Sequence, residues 1–373
     1  MSVLKFVKRH IRNMTNQLEW ASEEADRTGN YPAEVFDLLK KSGMFALLAP
    51  EKSAGAGLSF SEWVEVVRDV SYYCPSAGAM VAAFNGLVLF PLVRFGMGKF
   101  DDLVKRIASG EITGAFSITE RDAGSDVSSI KTALIDDQKG WRIKGYKVFV
   151  SGGSIADFII AFAKHTRNGE LTNRISAVVV PREAFKVVRD EEKMGLKGTY
   201  TSEVIIDGWI SKDNILFRPQ LGFKVIADTL DVGRVGIAAQ AVGIAQRALD
   251  EAKRYMNERT QFGQKLREFQ GLQWYIADMA TELEAAWQLT LKAAAELAKP
   301  GGRPTRYASM AKYKAAEVAN FVVDKALQIF GGYGYVKGAV VERLYRDVRV
   351  LRIYEGTSEI QKLVVFQEEM KGI

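Results

Sequence analysis

The sequence predicts an α+β multidomain fold. An N-terminal α-helical domain covers residues 1–112, a middle antiparallel β domain 113–220, and a C-terminal α-helical domain, built as a four-helix bundle, 221–373. Three observations lead there. The chain has 373 residues and is 47% hydrophobic, too much for one simple layer and enough for two or three domains. Its texture changes twice, from helical periodicity to short runs rich in Val, Ile, Phe and Trp near Thr113, and back near Leu221. No long helical pattern separates the middle runs, so they pair with one another rather than forming βαβ units.

Taken in order, Pro32 is a good first helical position, and Val35, Leu38 and Leu39 give one apolar edge to a helix over Ala33–Leu39 that Gly43 ends. Pro50 to Gly57 is a loop, and helical patterns follow over Ser61–Tyr73 and Ala77–Phe95. The middle segment gives strands over Thr113–Thr119, Trp141–Val150, Asp157–Ala163, Ile175–Val180 and Glu203–Ile206, with Asp136-Asp137-Gln138-Lys139-Gly140 as a hairpin turn. In the last segment Leu272, Ile276, Met279, Leu283 and Trp287 recur at three- and four-residue steps. Pro300-Gly301-Gly302 breaks that helix, and Lys312–Phe330 forms the next, closed by Gly331-Gly332. Near the C-terminus Ser358 and Gln361 fit a capping box, and Ile360, Leu363, Val364 and Gln367 then fall on one edge, the first three apolar. Glu355 thereby lies on the connection before a helix, beside Gly356, which leaves a ligand room to approach the backbone.

The formal charge of +6, from 51 Lys and Arg against 45 Asp and Glu, contains no block of five like charges. No nucleic-acid surface is expected, though the balance suits anionic ligands. A single cysteine, Cys74, excludes an intrachain disulfide. The only histidines, His10 and His165, are far apart in the chain, so zinc sites and Ser/His or Cys/His nucleophile pairs are not expected, and no metal is assigned. Chemistry falls to carboxylates, hydroxyls, backbone dipoles or a bound cofactor. No complete G-x-G-x-x-G follows a strand, and the P-loop-like spacing of Gly140 and Gly145 continues with Tyr146 instead of Lys, so any nucleotide cofactor must be held another way. There is no run of eighteen apolar residues and no signal-like N-terminus, so a cytoplasmic protein without a membrane span is expected.

The run Ile353-Tyr354-Glu355-Gly356-Thr357-Ser358-Glu359-Ile360-Gln361 resembles the active-site signature of acyl-CoA dehydrogenases, and the resemblance extends from about residue 15 to the C-terminus. Phe95-Gly96 and Ala108-Ser109-Gly110-Glu111 are similar to that family's helical domain. Ile118-Thr119-Glu120-Arg121-Asp122-Ala123-Gly124-Ser125-Asp126 resembles its flavin-contact turn, with Arg121-Asp122 where Pro-Gly is usual. By that resemblance Phe116, Ile118 and Thr119 face the flavin of FAD, and Ser125 touches flavin or substrate. Lys147-Val148-Phe149-Val150-Ser151-Gly152-Gly153 resembles the strand covering one flavin face, with Phe149 in place of Trp and Ser151 in place of Thr.

Asp231 and Arg234, by spacing alone, are an i,i+3 pair on a solvated helix face. The resemblance makes them contacts for the coenzyme A part of the substrate. Gly233 stands where isovaleryl-CoA dehydrogenase-like members carry their base, which leaves Glu355 as the matching candidate. Arg259, Phe262 and Gln270 are implied FAD contacts, as are Thr357 and Glu359, while Gly356 is an implied substrate contact. Gln328, Gly331 and Gly332 match a segment that meets the FAD of a neighbouring subunit, and the family habit is a homotetramer, a dimer of dimers.

The implied reaction is α,β-dehydrogenation of an acyl-CoA to the trans-2-enoyl-CoA. Glu355 takes the α-proton and FAD the β-hydride, the base residue's own N–H helps hold the thioester oxygen, and an electron-transfer flavoprotein is the onward acceptor. Phe149 also suits same-fold flavin monooxygenases or nitroalkane oxidases, against which Glu355 argues. Ala83–Phe95 is the expected wall of the acyl pocket, with Val88, Leu89 and Phe90 bulky enough to shorten it.

Overall fold

The computed structural model describes residues 2–137 and 140–371. Helices α1 (Val3–Asn13), α2 (Thr15–Thr28) and α3 (Ala33–Lys41) lead into α4 (Phe60–Tyr73). A complete capping box starts α4, with Ser59 Oγ accepting the Glu62 N–H and the Glu62 carboxylate accepting the Ser59 N–H. Its inner face, Trp63, Val66, Val67 and Val70, is fully buried. Next come α5 (Pro75–Ala83), a π-helical turn over Phe84–Leu89, α6 (Phe90–Phe95) and α7 (Asp101–Ala108). The sequence pattern foresaw the helix here but not its wide central turn. Pro75–Phe95 is long and apolar enough to cross a membrane, yet 83% of the window is buried within the chain, so it is a core helix.

The sheet holds β1 (Gly114–Ser117), β2 (Ala133–Asp137), β3 (Gly140–Ser151), β4 (Phe158–Arg167), β5 (Glu170–Pro181), β6 (Phe185–Asp190), β7 (Thr201–Ile210) and β8 (Ile215–Leu216). Its order is β6-β7-β3-β1-β4-β5-β8, with β2 pairing β3 and β4. Contrary to the antiparallel expectation, the sheet is mixed: β1 and β2 each run parallel to β4. The β2–β3 hairpin reverses the chain between β1 and β4, so β4 returns in the direction of β1 while β3 runs against it. The expected hairpin closes at Asp137 opposite Gly140, and its Gln138 and Lys139 lie outside the described residues. Strands β2, β6 and β8 escaped the sequence reading, the last having only two residues.

Beyond the sheet lie α8 (Gly222–Glu258), a small hairpin of β9 (Thr260–Gln261) and β10 (Gln264–Lys265), then α9 (Gln270–Ala298) and α10 (Pro304–Phe330). Short helices α11 (Gly332–Tyr335) and α12 (Val340–Val348) precede α13 (Ser358–Glu369). Helix α10 packs along α8 and α9, and α13 lies against α10. Pro304 starts α10 at its first turn, eight residues before the predicted Lys312.

Two expectations for α13 are overturned. Its N-cap is Thr357, whose Oγ1 accepts the Ile360 N–H, because Ser358 already lies inside the helix and donates to Glu317 Oε1. Its buried positions are Ser358, Gln361 and Glu368, while Leu363 is 51% exposed. Polar tethers, not the apolar edge, face the body of this chain.

Candidate active site

Glu355 lies where α8, α10, the π turn and the approach to α13 meet. Its backbone is left-handed, φ 52°, followed by Gly356 at φ 90°. A non-glycine residue in this region costs on the order of 1–3 kcal/mol and persists only when its surroundings hold it. Tyr354 donates its phenol O–H to Gln240 Oε1 at 2.6 Å on α8. Gln361 Nε2 donates to the carbonyls of Glu355 at 3.0 Å and Gly356 at 3.1 Å. Lys312 Nζ donates to the Gly356 carbonyl at 2.6 Å from α10.

The Glu355 side chain is aimed at Gly233. A Cβ on Gly233 would sit 2.1 Å from Glu355 Oε2 and 2.7 Å from Leu87 Cδ2. Oε2 is inaccessible to solvent and has no hydrogen-bond partner among the described residues. Burial pushes the carboxyl up to about 7, with the charges of Lys312 and Arg234 holding it from going higher. A carboxyl titrating there can take or give a proton at neutral pH. The Glu355 N–H has no acceptor among the described residues.

Asp231 and Arg234 are buried, not solvated: Arg234 Nη1 donates to Asp231 Oδ1 at 3.0 Å, and Thr305 Oγ1 donates to Asp231 Oδ2 at 2.6 Å. Both oxygens of Asp231 are thereby taken up inside the bundle, and Arg234 puts its positive charge on the Glu355 side of α8.

The residues read as flavin contacts come together on the sheet. Phe116 pairs across from Ser151, and the Val148 N–H donates to the Thr119 carbonyl at 3.0 Å. A β-bulge against β7 falls between Lys147 and Val150. Phe149, in the bulge at φ 55°, turns its ring outward and leaves it 63% exposed. Ile118 and Thr119 are half-buried beside it, and Ser125 is exposed on the following turn. That turn hangs on Glu120, whose carboxylate accepts the Thr132 N–H at 3.0 Å and the Lys147 ammonium at 2.8 Å. Lys147, fully buried, also donates to the carbonyls of Ile118 and Phe162, both at 2.9 Å. The Arg121-Asp122 departure is accommodated at the surface, Arg121 lying over the Tyr146 ring and Asp122 pairing with Lys131.

The π turn joins this patch to Glu355. A Cβ on Gly152 would meet the Phe84 ring at 3.7 Å, and one on Gly114 would meet Val88 Cγ1 at 2.7 Å. Leu87, which the sequence reading did not single out, is the turn residue beside Glu355, whereas Val88 packs on β1 and Phe90 stands edge-on to Phe60.

A second cluster forms at the far end of α8. Arg259 lies over the Tyr333 ring, and Tyr255 stacks on Phe330 at 4.2 Å, which brings Gln328, Gly331 and Gly332 beside Arg259. Phe262 tips the β9–β10 hairpin and is 93% exposed, and Gln270 opens α9 just after the hairpin. Gly331 and Gly332 have open space where a Cβ would stand. At 1.5 Å rise per residue, Arg259 lies about 40 Å along α8 from Gly233. Thr357 and Glu359 flank the helix start next to Glu355.

An exposed aromatic ring beside Phe116, Ile118 and two hydroxyl-bearing residues fits a flavin's apolar ring with polar edges. Lys312 was also missed by the sequence reading, though a signal existed: Ala308, Ala311, Ala315, Ala316 and Ala319, all buried, place it on the inner stripe of α10.

Comparison with known proteins bears on this arrangement. Models of the acyl-CoA dehydrogenase N-terminal, middle and C-terminal domains match residues 2–111, 115–209 and 220–369 in that order. A 3-(aryl)acrylate reductase of Clostridium sporogenes is 37% identical, covering 98% of each chain. Subunit CarC of the caffeyl-CoA reductase-Etf complex of Acetobacterium woodii is 38% identical over 92% of this chain and 91% of that protein. The solved butyryl-CoA dehydrogenase of Megasphaera elsdenii has a TM-score of 0.94 at 32% identity, covering 100% of this chain and 99% of that one. Because these likenesses run through all three segments at once, the chain belongs to the acyl-CoA dehydrogenase family, FAD-dependent oxidoreductases acting on CH–CH bonds.

Proposed function

We propose that this protein interconverts an acyl-CoA thioester and its trans-2-enoyl-CoA, with Glu355 as the group that moves the α-proton. The observation behind it is the Glu355 Oε2, closed off from water, without a partner among the described residues, and facing α8 at Gly233, where the missing side chain leaves it room. Phe116, Ile118, Thr119, Phe149 and Ser151 would hold FAD, which would supply the acceptor for the β-hydride. Glu355 takes the α-proton onto Oε2, and its N–H, without a protein acceptor, donates to the thioester oxygen as negative charge builds there. Leu87 of the π turn packs beside the Glu355 carboxyl and would help keep water from it.

Glu355→Gln tests this on the holoenzyme under anaerobic conditions. Butyryl-, octanoyl-, isovaleryl- and 3-phenylpropionyl-CoA are mixed with the protein and the flavin absorbance followed. The variant is expected to keep its yellow cofactor and to lose flavin reduction by on the order of 10³-fold or more. Retained reduction would remove Glu355 from this role.

The reductive direction is a second reading. A carboxyl near 7 is half protonated at neutral pH and returns a proton as readily as it takes one. The relatives named above include an arylacrylate reductase and a caffeyl-CoA reductase subunit. Reoxidation of the reduced enzyme by an enoyl-CoA faster than reduction by the matching acyl-CoA would favour it. An electron-transfer flavoprotein as redox partner, in the cytoplasm, suits either direction, supported by the Etf complex to which one relative belongs.

The second cluster belongs to the FAD of another copy. Arg259 stands about 40 Å along α8 from Gly233 and the Glu355 carboxyl that faces it, and Phe262, Gln270, Gln328, Gly331 and Gly332 are assigned with it, which supports a site shared between chains and a homotetramer.

A further inference from the structure

Lys312 is fully buried, and the hydrogen bond recorded for its ammonium goes to the Gly356 carbonyl. Removing an ammonium from water is costly, and one charge-assisted bond to a carbonyl returns only part of that cost. A methionine would fill the same volume without that cost. The charge therefore has another use, and the groups around it show which. Glu355 lies on the approach to α13, Glu359 in its first turn, and Arg234 comes from α8. Glu355 in turn faces Lys312, Arg234 and the neighbouring Tyr354, with neutral Leu87 from the π turn. Arg234 is already committed to Asp231, so Lys312 is the cation left to balance the base.

We propose that Lys312 is the positioning residue of the Glu355 base: it pins the Gly356 carbonyl, so that the left-handed Glu355–Gly356 pair aims the carboxylate beside Gly233, and its ammonium stabilises the ionised carboxylate. The proposal rests on the reading of Glu355 as base. It makes a specific claim about pH. Loss of the cation leaves burial opposed by Arg234 alone, so ionisation of Glu355 moves further up.

The test is anaerobic stopped-flow reduction of the holoenzyme flavin across pH, using whichever of the four acyl-CoAs above reduces the wild type fastest. Lys312→Met is expected to slow flavin reduction roughly 10- to 100-fold and to move the acid limb of the profile up by about one pH unit or more, with KM changed less than threefold. Lys312→Gln restores a donor without the charge, so it recovers part of the rate while keeping the displaced limb. A folded, flavin-loaded Lys312→Met or Lys312→Gln with the wild-type rate and limb overturns the proposal. If neither retains flavin, Lys312→Arg decides: an unmoved limb supports the role of charge, and a limb displaced by a unit overturns it. Should Glu355→Gln itself keep reducing, the base reading has failed, whereas an inactive Glu355→Gln beside an unperturbed Lys312→Met sinks this proposal alone.

Discussion

Glu355 is held in a state that costs the fold stability. Burial raises its carboxyl from 4.5 to about 7, so the folded chain binds this proton more tightly than the unfolded one. Stability from such a group is complete below the unfolded value near 4.5 and is lost as pH rises through about 7. Glu355→Gln, which imitates the protonated form, is therefore expected to be more stable than the wild type at pH 8, by on the order of 2–3 kcal/mol, with the gain fading toward pH 4.5. Paired denaturant titrations of the two holoproteins at both pH values check this. An equal difference at both would mean that ionisation at 355 is not what strains the site. Glu355 itself was legible because a nine-residue signature surrounds it. Its geometric partners were not: Leu87 is one apolar residue among many in Pro75–Phe95, and only a three-dimensional turn singles it out.

At the scale of elements, β3 shows how an edge of the site is made. Seven of its pairs with β7 run in register from Trp141 to Lys147 and two more follow the bulge at Phe149, and that irregularity is what exposes the ring. Lys147, just before it, locks β3 to the Ile118 and Phe162 carbonyls, so the bulge sits on a rigid base. Phe149→Ala should leave far-UV circular dichroism unchanged, because the ring contributes little to the core, while FAD affinity falls by about tenfold or more. Equilibrium dialysis of the cofactor reads this out, and unaltered affinity would place the flavin elsewhere. The β3 run and the helical stripes were readable from sequence, as was the helix before Gly331. The bulge was not, since period-two patterning says nothing about a residue inserted out of step. The cap of α13 was misjudged by one position for a similar reason: Thr357 and Ser358 both offer hydroxyls, and contact with Glu317 on α10 decides between them.

At the scale of the molecule, the three-part succession of helices, sheet and bundle followed from texture alone, while the parallel pairing of β1 and β2 with β4 depends on how hairpins are threaded. A long helix was foreseen from Asp231, but α8 begins already at Gly222, and it is the feature with the widest reach. Gly233, toward one end, faces Glu355, and the other end carries Arg259, which on the proposed reading reaches a different molecule's cofactor. Genetics can exploit that separation. A chain carrying Glu355→Gln and a chain carrying Arg259→Ala are each expected to be defective, yet in a mixed dimer one of the two centres receives an intact half from each parent. Co-expressing the two with different tags should return about a quarter of normal turnover if subunits assort at random. Two defects that rescue each other would trace the chain-to-chain boundary through the cofactor itself, and two that remain dead together would confine each centre to a single polypeptide.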